Sequence, residues 1–138
     1  MPQADGKSYD FLPLDSIRHD YLETIDYAGE RQKVVYETSE FSAVCPFSGL
    51  PDYGSLKIEY CPDNHIIELK SLKYYIISYR SVGIYQEAAT DRLASDLFAC
   101  IKPLYLVVTT RYNTRGGIDT VCTLEKGDRD FRHDWRVL

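Results

Sequence analysis

A cysteine and an aspartate lie seven residues apart in the segment CPFSGLPD, as Cys45 and Asp52. Pro46 follows the thiol, and Gly49 and Pro51 turn the chain before the carboxyl group. A constrained loop of this kind can hold a thiol rigid and exposed, as a nucleophile must be. Such a thiol needs a lowered pKa and an acid or base within reach, and Asp52 could be that partner. On local spacing alone, a buried loop cysteine beside a turn aspartate is the commoner arrangement.

A second segment, ELKSLKYY, places two ammonium groups close together. Lys70 and Lys73 are three residues apart and share a face if the segment begins a helix. Ser71 lies between them and can either cap the helix or hydrogen-bond a phosphate. Two lysines and a hydroxyl near a helix start make a good anion site. The simpler interpretation, a solvated face of an amphipathic helix, is normally the commoner one.

Two weaker signals come from an arginine and a glutamate. Arg115 precedes two glycines in a turn between strands, where a guanidinium could clamp a phosphate. Glu87, in YQEA, begins a helix, where a carboxylate complements the dipole. Facing a pocket instead, its oxygens could accept paired N–H donors from a purine-like edge. No metal site is predicted, because the cysteines and histidines lack metal-ligand spacing, and no phosphate-loop or Rossmann glycine pattern occurs.

Composition limits the classes of function. The chain has 138 residues, 44% of them hydrophobic, which is enough for one domain with a core. Its net charge of −5 argues against sequence-blind nucleic-acid binding. No apolar run is long enough for a membrane helix, and the N-terminus has no apolar signal core. We therefore expect a cytoplasmic protein with reduced thiols, no membrane partner and no nucleic-acid partner.

The elements that must position these residues follow from periodicity. RQKVVYETSEF and SLKIEY predict two strands, and LYLVVTTRY and IDTVCTLEK predict two more after the turn NTRGG. Between the pairs, one helical face begins near Ser71 and ends at 81–83, and a second runs from Ala88 to Ile101. The order predicts an α+β domain, with two helices on one face of a four-stranded antiparallel sheet. Its open edges predict an oligomer.

The ends of the chain lack this periodicity. Residues 1–30 are predicted to form an irregular arm, with one short turn near 14–19. The domain then spans residues 31–126, and residues 127–138 form a charged tail.

The motifs together resemble one family, the NADPH-dependent QueF nitrile reductases, which convert 7-cyano-7-deazaguanine to 7-aminomethyl-7-deazaguanine in queuosine biosynthesis. The resemblance runs from about Phe41 to Glu125 and is strongest at CPFSGLPD and ELKSLKYY. The short chain is similar to the single-module form. The resemblance implies the tunnelling fold, in which subunits join through their sheets into barrels. These assemblies are often decamers of two pentamers, with sites between subunits.

The resemblance also implies roles for individual residues. Cys45 matches the nucleophile that forms a covalent thioimide with the nitrile, and Asp52 matches the proton donor. Glu87 matches the carboxylate that grips the deazaguanine, and Ile67, Glu68 and Leu69 match residues that line its pocket. The positions that match the NADPH-binding residues are Lys70, Ser71, Lys73 and Arg115.

One departure from the family pattern keeps alternatives open. Many members have histidine before the substrate-gripping glutamate, where this chain has Gln86. Glutamine can contact substrate but cannot shuttle a proton at neutral pH. One alternative is a QueF-like archaeosine synthase, which adds ammonia to the same nitrile on tRNA and needs no nicotinamide cofactor. Another is a non-catalytic purine- or pterin-binding relative. The intact lysine segment favours the reductase over the first, and Cys45 with Asp52 argues against the second.

Overall fold

The computed structural model describes residue 3 and residues 5–132, so the end of the predicted tail, residues 133–138, lies outside the described residues. Six strands and two α-helices form the described chain. In chain order they are β1 (Thr24–Asp26), β2 (Val34–Val44), β3 (Pro51–Cys61), β4 (His65–Ile67), α1 (Leu69–Ile77), α2 (Gln86–Ile101), β5 (Tyr105–Arg115) and β6 (Ile118–Gly127), with single 3-10 turns at Leu14–Ser16, His19–Tyr21 and Arg129–Phe131.

Four long strands form one antiparallel sheet in the order β2-β3-β5-β6. The two helices are inserted between β3 and β5 and cover one face of this sheet. On β3 the side chains of Leu56, Ile58 and Tyr60 are buried under the helices, and the residues between them are half-buried on the opposite face. The sheet thus has the α+β arrangement that the period-two pattern predicted.

A buried polar network joins the two helices. The Tyr75 hydroxyl on α1 donates to Asp96 on α2 at 2.7 Å and lies 2.8 Å from the Tyr79 hydroxyl. Arg92 donates to the same Asp96 oxygen at 2.7 Å, so the carboxylate receives two donors. Because buried polar groups are costly when unpaired, this network favours one fixed placement of α1 against α2.

Several predicted boundaries were wrong. Helix α1 begins at Leu69, ahead of Ser71, because the Glu68 side chain caps it by accepting from the Lys70 and Ser71 backbone N–H groups. It ends at Ile77, and the chain reaches α2 through turns rather than more helix. Strand β3 begins at Pro51, so Asp52 lies in the sheet rather than in a loop. Likewise, β5 continues through Arg115, and only the glycine pair turns the chain.

Residues 5–30 are more ordered than the predicted irregular arm. They contain two 3-10 turns where one was expected, and β1 pairs with β4 in a small second sheet. Ile17 is 2% exposed and belongs to the main core. A three-residue strand is too short to show a hydrophobic period, which is why the pattern did not predict it.

Both edges of the main sheet are open in the single chain. β2 and β6 each have one strand neighbour. The face away from the helices exposes Val35, Tyr53 and Val121. Open edges beside exposed apolar side chains are the features that subunit association usually covers. No helix among the described residues combines the length and apolar character of a bilayer span.

Candidate active site

Cys45 occupies a tight loop between β2 and β3. Its backbone N–H donates to the Leu50 carbonyl at 2.9 Å, and its carbonyl accepts from Gly49 N–H at 2.8 Å. Gly49 has φ +72°, and a Cβ there would overlap the Tyr9 carbonyl oxygen. Tyr9 also donates its backbone N–H to Ser48 at 2.9 Å. The N-terminal arm therefore braces the loop, which holds the half-buried thiol in one place.

The local environment activates this thiol. The backbone N–H groups of Ser48 and then Phe47, with the Ser48 hydroxyl, lower the pKa of Cys45, because they stabilise the thiolate. Burial and the charge of Asp52 oppose the shift without reversing it. In contrast, burial raises the pKa of both Cys61 and Cys100. Cys45 is thus the thiol with the surroundings of a nucleophile.

Asp52 is a buried carboxylate that forms an ion pair with an arginine far away in the sequence. It is 7% exposed and lies opposite Ala43, two residues before the thiol, across the β2–β3 ladder. Arg115, at the end of β5, forms an ion pair with it. Because burying an unpaired charge is costly, this pair explains how a carboxylate is kept beside the thiol. The two residues are 63 positions apart in sequence, and only the sheet brings them together.

The start of α2 lies at the same end of the molecule. Ile84 donates its N–H to the Val44 carbonyl at 3.1 Å, which fixes the chain just before α2 beside the cysteine loop. Gln86 is half-buried and Glu87 is exposed in the first helical turn. We call the group formed by Cys45, Asp52, Gln86, Glu87 and Arg115 the thiol end.

The lysine segment lies at the other end of α1. The Ser71 hydroxyl donates to the Glu68 carbonyl at 2.7 Å and accepts from the Glu23 backbone N–H at 3.0 Å. Backbone hydrogen bonds lower the pKa of the Glu68 carboxyl, first through Ser71 and then through Lys70. Ser71 and Glu68 therefore organise the helix start in the free protein. With Leu69, Lys70 and Lys73 they form what we call the lysine end.

These two ends do not meet within one chain. The nine residues of α1 separate them by about 14 Å along the helix axis. The predicted pocket residues are likewise divided, since Glu68 and Leu69 lie at the lysine end and Gln86 and Glu87 at the thiol end. The Ile67 side chain is buried in the core, while Leu69 is exposed.

The lysine end carries free cations. Neither Lys70 nor Lys73 forms an ion pair within residues 5–132. Lys73 and Arg80 border a groove of about 500 Å³ between α1 and β2, whose walls include Leu56 and Ile76. The Lys73 ammonium and the Arg80 guanidinium beside an apolar groove suit a ligand with both phosphate groups and flat rings, so this region fits NADPH.

Comparison with known proteins places the chain in a family. A family model described as "QueF-like protein" matches residues 51–130. The chain belongs to this family. Members named "NADPH-dependent 7-cyano-7-deazaguanine reductase" in Thermotoga petrophila and Thermotoga maritima are each 56% identical to it, over 87% of this chain and 88% of theirs. A protein of the same name in Caldicellulosiruptor bescii is 43% identical over 83% of this chain and 88% of its own.

A solved QueF-like structure shares the fold. The crystal structure of the archaeosine synthase QueF-Like in the apo form has a TM-score of 0.63 with 22% sequence identity, and the match covers 74% of this chain and 98% of that one. The family resemblance inferred from the motifs is confirmed by the family model and by the relatives of up to 56% identity.

Sequence reasoning missed residues that prepare the site without matching a motif role. Ser48 was visible inside CPFSGLPD, and a hydroxyl three residues after a cysteine is a signal that could have been used. The support from Tyr9 was not visible, because backbone contacts between distant segments leave no local pattern.

Proposed function

We propose that this chain is an NADPH-dependent nitrile reductase that converts 7-cyano-7-deazaguanine to 7-aminomethyl-7-deazaguanine. The observation that carries the proposal is the activated Cys45 thiol held beside the buried carboxylate of Asp52. The names of relatives up to 56% identical supply the substrate and the cofactor. The free lysines at the lysine end supply the anion site that the cofactor needs.

Covalent capture of the nitrile is the step that these residues suit. The Cys45 sulfur attacks the nitrile carbon, forming a carbon–sulfur bond while one carbon–nitrogen π bond breaks. The electron pair moves to nitrogen, which takes a proton. Asp52 begins as a carboxylate paired with Arg115, so it can accept the thiol proton and deliver it to that nitrogen. The product is a thioimide, and the proton released by sulfur ends on nitrogen.

Reduction then requires a hydride source. NADPH, when bound, would supply hydride, and two equivalents would account for the four-electron reduction. Lys70 and Lys73 at the lysine end, with Arg115 at the thiol end, would hold its phosphate groups. Ser71, which is buried and donates to the Glu68 carbonyl, would support this contact by fixing the helix start. Glu87 would accept N–H donors from the pyrimidine edge of the substrate, and Gln86 would contact the same ring. Ile67, Glu68 and Leu69 would line the pocket.

The site is complete only between copies of the chain. The thiol end and the lysine end are separated by α1, so a substrate and cofactor that touch both must lie where the thiol end of one copy meets the lysine end of another. The open β2 and β6 edges support association through the sheets into tunnelling-fold barrels, with two stacked pentamers as the proposed assembly.

An adduct experiment tests the proposal. Mixing the protein with 7-cyano-7-deazaguanine should give a thioimide absorbance and a mass increase equal to the nitrile, and Cys45→Ala should remove both. Cys122→Ala is the matched control, because Cys122 is also a half-buried free thiol. Adding NADPH to the adduct should release the amine. Absence of an adduct at saturating nitrile would contradict every covalent mechanism.

The same adduct separates the reductase from an amidine-forming enzyme. If ammonia and cyano-deazaguanine-modified tRNA turn over while NADPH gives no amine, the chain is an archaeosine synthase. Ligand binding without any adduct would instead indicate a non-catalytic purine- or pterin-binding protein.

A further inference from the structure

Tyr112 carries a buried hydroxyl that the mechanism above does not use. Its side chain is 5% exposed, and the hydroxyl has no hydrogen-bond partner of normal geometry within residues 5–132. The nearby Thr110 hydroxyl lies 2.6 Å from the Thr90 hydroxyl, which donates to the Gln86 carbonyl at 3.0 Å. A buried donor without an acceptor costs free energy, so its retention needs an explanation.

The position of Tyr112 in the sheet connects it to the thiol end. Tyr112 lies opposite Gly54 in the β3–β5 ladder. Asp52 is two residues before Gly54 on β3, and both lie on the same face of the sheet. The Thr90–Thr110 hydrogen bond fixes the first turns of α2 over β5. Thr110 is two residues before Tyr112 on that strand and on the same face. Tyr112 therefore lies beneath the start of α2. Phe41 packs edge-on against its ring at 6.3 Å, which holds the ring in place.

The charges around the hydroxyl agree with this placement. Burial raises the pKa of Tyr112, the Thr110 hydroxyl lowers it, and Cys122, Asp52 and Glu87 raise it. Two of the groups that raise the pKa, Asp52 and Glu87, belong to the thiol end. A phenol with a raised pKa stays protonated at neutral pH, so it keeps a proton that it can donate in a hydrogen bond.

We propose that the Tyr112 hydroxyl hydrogen-bonds the substrate, donating to a ring acceptor of the bound deazapurine between Glu87 and Asp52. The inference rests on the proposed function and adds a substrate-binding residue to it. Glu87 and Tyr112 then have complementary roles, because the carboxylate accepts from the ring N–H groups and the phenol donates to a ring acceptor. This pattern would select a ring that presents donors and an acceptor close together, and would disfavour analogues without that acceptor.

Tyr112→Phe tests the proposal because it removes only the oxygen. We expect the Kd for 7-cyano-7-deazaguanine, measured by calorimetry in the Cys45→Ala background, to rise about three- to tenfold, the usual effect of one lost hydrogen bond. The melting temperature should stay the same or rise, because an unpaired buried donor is removed. The KM for NADPH should not change.

Tyr105→Phe is the matched control. Tyr105 lies on the same strand and has a buried hydroxyl without a partner in the described chain, but it is at the far end and on the opposite face. Its substitution should leave the Kd for the nitrile unchanged.

The outcomes separate this inference from the proposed function. If the unmodified protein forms the adduct and Tyr112→Phe binds the nitrile as tightly, the inference is wrong and the proposed function stands. If Tyr112→Phe lowers the melting temperature or dissociates the oligomer without changing the Kd, the hydroxyl is structural and the inference is overturned. If the unmodified protein forms no adduct and does not bind the nitrile, the proposed function fails first.

Discussion

The two ends of α1 use their charged groups in opposite ways. At the thiol end, the carboxylate of Asp52 is buried and paired with Arg115. At the lysine end, the carboxylate of Glu68 is turned to backbone N–H groups, which leaves Lys70 and Lys73 without ion-pair partners in the described chain. One end is arranged for proton and covalent chemistry, and the other keeps positive charge available for an anion. We therefore propose that each end is half of a site.

The largest expected effect comes from mixing two defective chains. Cys45→Ala lacks the nucleophile, and the double variant Lys70→Ala with Lys73→Ala lacks the anion site. Alone, each should be nearly inactive. Co-assembled in equal amounts, they should recover about a quarter of the reductase activity, since random pairing joins an intact thiol end to an intact lysine end in that fraction of interfaces. The measurement is NADPH oxidation, after native mass spectrometry has shown mixed oligomers.

Recovery is not expected if one chain supplies both ends. A mixed oligomer with no activity above the sum of its parts would therefore contradict a site between subunits. Mixing Cys45→Ala with itself provides the baseline.

Single lysine substitutions should separate the ends kinetically. Lys70→Ala or Lys73→Ala should raise the KM for NADPH about tenfold, because each removes one charged contact to phosphate. The rate of thioimide formation should be unchanged, since the two lysines contact the cofactor and not the nitrile or the thiol. Lys7→Ala, which removes an exposed lysine from the arm, is the control. Slower adduct formation with an unchanged KM would reassign the lysine end to nitrile capture.

A smaller effect should appear in the pH dependence of the thiol. The backbone N–H groups of Ser48 and Phe47 lower the pKa of Cys45 most, and the Ser48 hydroxyl lowers it further. Ser48→Ala keeps the backbone groups and removes the hydroxyl, so it should move the midpoint of iodoacetamide alkylation modestly to higher pH. Below that midpoint the variant should alkylate a few-fold more slowly, because less thiolate is present at a given pH. Above both midpoints the rates should converge. Mass spectrometry of the Cys45 peptide gives the rates, and the Cys122 peptide gives the internal control. An unchanged midpoint would contradict the role of Ser48.

The smallest expected effect concerns the cap of α1. The folded protein lowers the pKa of Glu68, so its carboxylate stabilises the fold above its ordinary pKa and loses that effect as pH falls through the lowered value. Glu68→Gln should therefore lower the melting temperature modestly at pH 7, and the difference from the unmodified protein should shrink at acidic pH. Glu87→Gln is the comparison, as a first-turn glutamate for which no cap hydrogen bond is present in α2. A difference that stays constant with pH would show that charge is not the cause.

Local periodicity predicted the elements well where a pattern repeats several times. The alternation of SLKIEY and the helical faces of α1 and α2 have enough repeats to show which side chains face the core. Boundaries were less predictable, since the Glu68 cap competes with Ser71 for the same helix start and only the fold decides between them. The three-residue strands β1 and β4 depend on each other and on no pattern of their own.

The candidate site was predictable only as separate pieces. CPFSGLPD, ELKSLKYY, YQEA and RGG each indicated a chemical group, and the resemblance joined them. The Asp52–Arg115 pair depends on the register of β3 and β5, and the separation of the lysine end from the thiol end depends on the direction of α1. Tertiary packing sets both the ion pair and the separation of the two ends, and it cannot be inferred from the local pattern of one sequence. The substrate contact of Tyr112 stays a prediction for the same reason.

The brace between Tyr9 and the cysteine loop has a practical consequence for anyone who handles this enzyme. Proteolysis near residue 12, or an N-terminal purification tag that displaces Tyr9, would leave every reactive group intact. It would still remove the contact that holds the Cys45 loop in place. Two preparations with the same intact catalytic residues would then differ in activity. Intact mass at the amino terminus is therefore a quality criterion for kinetic work on this protein.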